Sequence, residues 1–399
     1  MRILLAHNTY KQAGGEDAVF RHERALLEQH GHEVTVYTRD NAEIEPTSIG
    51  DRIDLARRTI WNPQTVDELS RLIQEVKPEI AHFTNAFPLI SPAAYDVCQA
   101  HGIPVVQTVQ NYRLICPKSS LLRDGEICER CISKRLAWPS MVHRCYHDSV
   151  AQTGVIALML AYHDLRGTWK RQVDRYVAAT QFSKEKLAEG GLPRERIVVK
   201  PNFLAHDPGA RTEFPGKFAM FVGRLTPEKG IHTLLQAWQR LPDIPLKVFG
   251  DGPLRETLAT YICDNQMSNV ELLGWQSNAD ILDQMKQARF LVFPSEWYEG
   301  FPVTIVEAFA CGIPVIASKL GSMAEVIEPG VIGAYIRPGD AEDIAEQVAN
   351  LWQNPEHSVR MGHNARKTYL ERYTAARNYT LLIDIYSDVL AERRHQLSF

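Results

Sequence analysis

Residues 295–312 read Ser295-Glu-Trp-Tyr-Glu299-Gly300-Phe301-Pro302-Val303-Thr-Ile-Val-Glu307-Ala-Phe-Ala-Cys-Gly312. The apolar segment directly before them, 289–294, has the composition of a strand buried in a parallel sheet. The order is therefore strand, loop, helix. Pro302 suits the first helical position, where a missing N–H costs nothing, and Gly312 is a natural stop. Glu299 then lies just before the helix and Glu307 inside it. At about 100° per residue, a spacing of eight brings the two within about 80° of each other around the axis. Two carboxylates thus share one side of a helix start whose unpaired N–H groups attract an anion such as a phosphate. Solvated helix-end charges are the plain alternative for any two glutamates.

Working upstream, a strand at 218–222 leads into Gly223-Arg224-Leu225-Thr226-Pro227-Glu228-Lys229-Gly230 and a helix at 232–241. Arg224 and Lys229 can flank a diphosphate, the first as a planar fork and the second as a point charge. A strand at 246–249 ends in Gly250, one at 270–273 ends in Gly274, and one at 290–293 enters the glutamate pair. Ligands of open α/β sheets collect at such carboxyl ends, so these loops share one mouth. A strand at 314–317 and a helix at 341–352 continue the alternation.

The first half repeats the theme. Strands at 2–6, 34–37, 79–83, 104–109, 175–179 and 197–200 alternate with helical stretches, which predicts a parallel sheet with right-handed crossovers. Gly14-Gly15, in the first strand-to-helix turn, either lets backbone approach a ligand in front of free helix N–H groups or is a plain turn. No G-x-G-x-x-G follows a strand, which disfavours a nicotinamide enzyme. Residues 205–216, with Asp207-Pro208-Gly209 and Pro215-Gly216, read as a linker. In the last helix Leu382, Ile385, Tyr386, Val389 and Leu390 form an apolar stripe that needs a partner surface. The expected division is a first domain at 1–204, a linker at 205–216, a second domain at 217–375 and a final helix at 376–399.

A chain of 399 residues exceeds what one hydrophobic core usually supports, in keeping with two domains. With 45% hydrophobic and 23% charged residues it has an ordinary globular composition, and a net charge of −4 argues against nucleic acid as a partner. No apolar run approaches the roughly 20 residues that span a bilayer, and the N-terminus lacks the features of a signal peptide. A cytosolic protein is expected. The seven cysteines fit reduced thiols or a metal site better than a disulfide framework.

Residues 116–171 interrupt the alternation. Cys116, Cys128, Cys131 and Cys145 fall within thirty residues, and Cys128 and Cys131 have the C-x2-C spacing that puts two thiolates on one ion. Two readings stand: a structural zinc held by the four, or four reduced thiols. From Lys118 to Arg171 the insert carries nine Lys/Arg against five Asp/Glu, with Trp138, Trp169 and an apolar run at 154–162 beside them. Basic and aromatic residues next to an apolar helix mark either a surface lying peripherally on an anionic membrane, such as the inner face, or a solvated insert over a core helix.

The Glu299-x7-Glu307 pair and the Ala-Phe-Ala-Cys-Gly-Ile-Pro-Val-Ile-Ala that follows resemble the signature of the retaining glycosyltransferases of family 4. So does the loop Gly223-Arg-Leu-x-x-Glu-Lys-Gly230. The resemblance implies an α/β protein of GT-B fold, two Rossmann-like domains with the final helix crossing back to the first. It implies a UDP- or GDP-sugar donor, a glycan or lipid-linked acceptor, and transfer of a hexose-type sugar with retention. Glu299 is implied to touch the donor sugar, Glu307 the ribose, and Arg224 and Lys229 the diphosphate. Gly14, Gly15, Gly223, Gly250, Gly274, Gly300, Phe301, Pro302 and Val303 complete the implied donor site. Gln110, Asn111 and Tyr112 stand on the acceptor side, where many relatives carry a His in place of Gln110. No catalytic metal is expected, since the chain has no Asp-x-Asp triplet. Rival readings are a GT-B epimerase or phosphorylase, disfavoured by the Glu pair and phosphate loop, and a non-catalytic scaffold.

Overall fold

A computed structural model describes residues 1–11, 14–212 and 215–397, with residues 396 and 397 described by backbone alone. Residues 213 and 214 of the expected linker and 398 and 399 of the expected final helix lie outside them. The chain forms two units, one of residues 1–123, 128–202 and 378–399, the other of 124–127 and 203–377.

The first unit is built on strands β1 (Arg2–Thr9), β2 (Glu33–Asp40), β3 (Ile80–Asn85), β4 (Val105–Val109), β7 (Arg175–Ala178) and β8 (Ile197–Val199). All pair in parallel, in the order β2-β1-β3-β4-β7-β8. Every residue of β3 and β4 is buried, as expected of strands covered by helices on both faces. A two-stranded hairpin, β5 (Leu122–Arg123) and β6 (Glu126–Ile127), opens the insert. Three helices follow it, Trp138–Val142, Val150–Arg166 and Thr168–Arg171. The longest of them contains the apolar run at 154–162 that the sequence reading took as a helix.

The terminal helix, Ala375–Leu397, supplies part of the first unit's core. Leu382, Ile385, Tyr386 and Val389 are buried among Ile3, Leu27, Ile80, Val106 and Val177, each worth about 1.5–3 kcal/mol of apolar burial. At its centre His82 is fully buried, one ring nitrogen 2.7 Å from Tyr386 Oη and the other 2.7 Å from Thr108 Oγ1. Beside it Lys200 Nζ donates to Glu23 Oε1 at 2.6 Å, both side chains essentially fully buried.

The second unit is a sheet of β9 (Phe218–Val222), β10 (Leu246–Phe249), β11 (Val270–Gly274), β12 (Ala288–Phe293), β13 (Val315–Ser318) and β14 (Gly333–Ile336). Its order, β11-β10-β9-β12-β13-β14, is again wholly parallel. The chain order reverses between β9 and its two neighbours β10 and β12, which is where ligands of such sheets bind.

Candidate active site

In the second unit β9, β10 and β11 end in Gly223, Gly250 and Gly274. The Gly223 N–H donates to Phe249 O at 3.1 Å and the Gly250 N–H to Gly274 O at 2.8 Å, so the three strand ends lie on one rim. Gly250 has φ 131°, and a Cβ there would fall 1.9 Å from Gly223 O; only glycine permits the contact. Gly230 acts likewise on the other side, since a Cβ would fall 2.0 Å from Pro294 O. The 223–230 loop is thereby seated on the end of β12, and Glu296 N–H donates to Glu228 O at 2.8 Å.

That seating brings Lys229 onto Glu299. Lys229 Nζ donates to Glu299 Oε1 at 2.7 Å, and the same oxygen accepts from Ser295 Oγ at 2.6 Å and Trp297 Nε1 at 2.8 Å. Glu299 is 6% exposed, a burial made tolerable by those three donors. Among the described residues Oε2 accepts none. Ser322 Oγ donates to the carbonyls of Glu299 and Gly300 at 2.9 and 3.2 Å, which fixes the loop. Neither the pairing of Lys229 with Glu299 nor the Ser322 clamp was read from the sequence.

The helix after the loop is Val303–Ala310, with Pro302 as its cap at φ −82°, ψ 82°. Pro302 is therefore outside the helix, not its first residue as expected, because its ψ is not helical and Val303 N–H turns to Phe301 O. Gly312 follows the helix with φ 73°. Glu307 accepts from Asn278 Nδ2 at 2.7 Å, and burial raises its pKa above the ordinary carboxylate value. Asn278 begins the helix after β11 and carries no sequence pattern that singles it out. The Arg224 side chain is exposed and makes no hydrogen bond or ion pair among the described residues, so its charge is available to an anion. Phe301 lies 6.1 Å from the Tyr373 ring.

The other expected residues belong to the first unit. Gly14 caps the helix Gly15–Gln29, and its own N–H donates to Asp17 Oδ2 at 2.7 Å. Asp17 is buried and also meets His7 Nε2 at 2.9 Å. Burial lowers the His7 pKa against the opposing pull of Asp17. Gly15 faces open space. Gln110 exchanges two hydrogen bonds with Asn202, at 3.0 and 2.9 Å, which locks its amide. Tyr112 is 3% exposed, with its hydroxyl 3.4 Å from Ser183 Oγ; it serves the core and not the acceptor side, contrary to expectation.

A cavity in this unit is lined by Tyr10, Glu16, Phe87, Asn111, Arg113 and Trp169, among others. Glu16 was missed in the sequence. Its carboxylate accepts from Asn111 Nδ2 at 2.7 Å and from Tyr10 Oη at 2.9 Å. Burial raises its pKa despite those two donors and the nearby Arg113. The Arg113 guanidinium stacks 4.5 Å from the Phe87 ring and 5.0 Å from that of Tyr146. A lining that combines polar groups with aromatic rings suits a ligand with hydroxyls on its edge and an apolar face.

The expected zinc ligands are not assembled. Among the described residues no three of His, Cys, Asp and Glu are placed to hold a metal ion. The four cysteines are nonetheless neighbours. Cys116 and Cys128 hang on one turn through Ser119 N–H to Cys116 O and Cys128 N–H to Leu121 O, both 2.8 Å. Burial, with the charge of Cys116, Cys145 and Cys128 behind it, pushes the Cys131 thiol up to about 11.

With two such sheets and these loops the chain has the GT-B fold. Its sequence matches the models of Glycosyltransferase Family 4 over residues 13–207 and of Glycosyl transferases group 1 over 211–368, and the chain belongs to the family 4-type glycosyltransferases. It is 33% identical over 194 residues to an uncharacterised glycosyltransferase of Methanocaldococcus jannaschii, covering 49% of this chain and 54% of that protein. Against the O-antigen chain mannosyltransferase C of Escherichia coli it is 28% identical, covering 62% of this chain and 69% of the other. The chain thus spans between about half and two thirds of these two relatives. The crystal structure of Anabaena HepE with UDP superimposes with a TM-score of 0.69 at 18% identity, over 97% of this chain and 100% of that one. No helix among the described residues is long and apolar enough to cross a membrane.

Proposed function

We propose that this protein is a retaining glycosyltransferase that moves a hexose-type sugar from a UDP- or GDP-sugar to a hydroxyl of a glycan or lipid-linked acceptor, in polysaccharide or glycolipid synthesis. The observation that carries this reading is Lys229 held on Glu299, with Oε2 left for a ligand and Glu307 one helix turn-pair away. In the reaction the anomeric carbon–diphosphate bond breaks, a bond to the acceptor oxygen forms, and the acceptor proton passes to the departing nucleoside diphosphate. Arg224 and Lys229 would neutralise the charge that develops there, in place of a catalytic metal. Glu299 Oε2 would accept from a donor-sugar hydroxyl and Glu307 from the ribose, while the Glu16 cavity would receive the acceptor. The UDP bound in the Anabaena structure and the O-antigen role in the name of the E. coli relative support the donor class and the pathway type.

A melting screen against UDP-, GDP- and ADP-sugars tests the reading. A tight donor raises stability by RT ln(1 + [L]/Kd), and the anomer of the product, read by NMR, decides retention. The absence of a shift with every nucleotide sugar refutes it.

A further inference from the structure

Of the thirteen large apolar side chains that stand exposed among the described residues, ten fall between residues 49 and 165. Three helices carry most of them. Ile49–Ile60 and Trp138–Val142 both pack on Val150–Arg166, and each turns an apolar pair or stripe outward at helical spacing. Ile49 and Ile53, Trp138 and Val142, and Leu158 and Leu165 are 54–76% exposed. The long helix already buries Ile156, Ala157, Met159 and Leu160 on its inner side, so it carries apolar side chains on its inner and its outer side. A helix of that kind needs an apolar neighbour on its outer side as well.

The charge around these helices has one sign in excess. Residues 118–171 carry nine Lys/Arg to five Asp/Glu in a chain of net charge −4. Arg52, Arg57, Lys134 and Arg144 are exposed and make no ion pair among the described residues. A protein partner would have to match both an apolar stripe and unpaired cations, whereas an anionic bilayer offers both at once: acyl chains for the apolar residues and headgroup charge for the cations.

We propose that this three-helix face docks on the surface of an anionic lipid bilayer. Leu158 and Leu165 enter the acyl boundary, and Arg52, Arg57, Lys134 and Arg144 meet the headgroups. The same long helix contributes Met159, on its buried inner side, to the Glu16 cavity, so docking would leave one helix between that cavity and the lipid.

Sedimentation with phosphatidylcholine vesicles, with and without phosphatidylglycerol, tests the proposal. We expect the full chain to sediment with the anionic vesicles, less so as salt rises. Leu158→Glu with Leu165→Glu should lower the partition roughly tenfold or more without changing the melting temperature, and Arg52→Glu with Arg144→Glu should do the same with the apolar stripe intact. Failure of the unaltered protein to sediment with anionic vesicles overturns the proposal, as does a partition that neither pair of substitutions changes. A dimer abolished by the leucine substitutions, without vesicle binding, would assign the face to a second copy and overturn it equally.

Discussion

Lys229 Nζ lies 2.7 Å from Glu299 Oε1, which joins the cation of the 223–230 loop and the first glutamate of the pair into one charge-paired unit. Either one alone should be poorly placed without the other. Lys229→Ala and Glu299→Gln are each expected to lower kcat/KM by roughly 10²-fold, and the double variant by little more than the worse single, because residues acting as a unit are not additive. The Arg224 guanidinium has no partner among the described residues, so Arg224→Ala should add its loss in full to that of Lys229→Ala. Kinetics on the three single variants and the two double variants check this; fully additive losses for Lys229 and Glu299 would separate them.

Glu307→Gln should weaken donor binding by about 1–3 kcal/mol, the contribution of hydrogen bonds to a charged acceptor, and leave the turnover of bound donor nearly unchanged. Asn278→Ala should weaken it less, since it only holds the Glu307 carboxylate in place. Calorimetric titration with the nucleotide sugar that shifts the melting temperature gives both numbers. A larger effect on turnover than on binding would reverse the roles given to Glu299 and Glu307.

Glu16 can accept from an acceptor hydroxyl only while ionised, and burial sets its pKa above that of an ordinary carboxylate, with Tyr10, Asp17 and Arg113 the charged or titratable groups around it. Acceptor use should therefore fall as pH drops through that raised value, and the fall should be absent in Glu16→Gln, whose KM for acceptor is expected to rise roughly tenfold. A pH–rate profile at saturating donor shows it. An acid limb that persists unchanged in the Gln variant belongs to some other group.

Stability should decline in mild acid. Burial holds His82 and His163 near a pKa of about 4, against the ordinary 6.5. Between those values the unfolded chain binds protons that the folded chain refuses, so stability is full above about pH 6.5 and is lost as pH falls toward 4, by roughly 3 kcal/mol per histidine. Glu23 adds to the loss at lower pH: burial favours its neutral form, but Lys200 outweighs that and depresses its pKa. Melting curves across this range check the prediction, and a flat profile from 6.5 to 4 would contradict it.

The residues legible in the sequence were those whose chemistry and spacing coincide. Glu299, Glu307, Arg224 and Lys229 lie in short motifs next to apolar strands, and the strands of both sheets follow from short apolar runs except the edge strand Gly333–Ile336, which the sequence reading left out. Contacts between distant segments were not legible. Nothing in the neighbourhood of Asn278 announces a contact 29 residues on, and Glu16 looks like any first-turn acid until Asn111 arrives 95 residues later. Tyr112 misled because a residue beside two site positions need not face the same way: its side chain turns into the core. The cysteine spacing correctly marked a cluster, but spacing does not fix where sulfur atoms point. Zinc content of the purified protein is the measurement that bears on it.

The terminal helix has a consequence for how the molecule is made. Residues 203–377 are complete as a unit while the first sheet still lacks the Leu382, Ile385, Tyr386 and Val389 that cover Ile3, Ile80 and Val106. On the ribosome, where domains generally mature in the order they emerge, this chain must reverse that order. The strands of the first sheet wait, with one apolar flank uncovered, for the helix that carries Leu382 to Val389. A chain interrupted before Leu382 would therefore be damaged more than three hundred residues away, at Ile3 and Ile80.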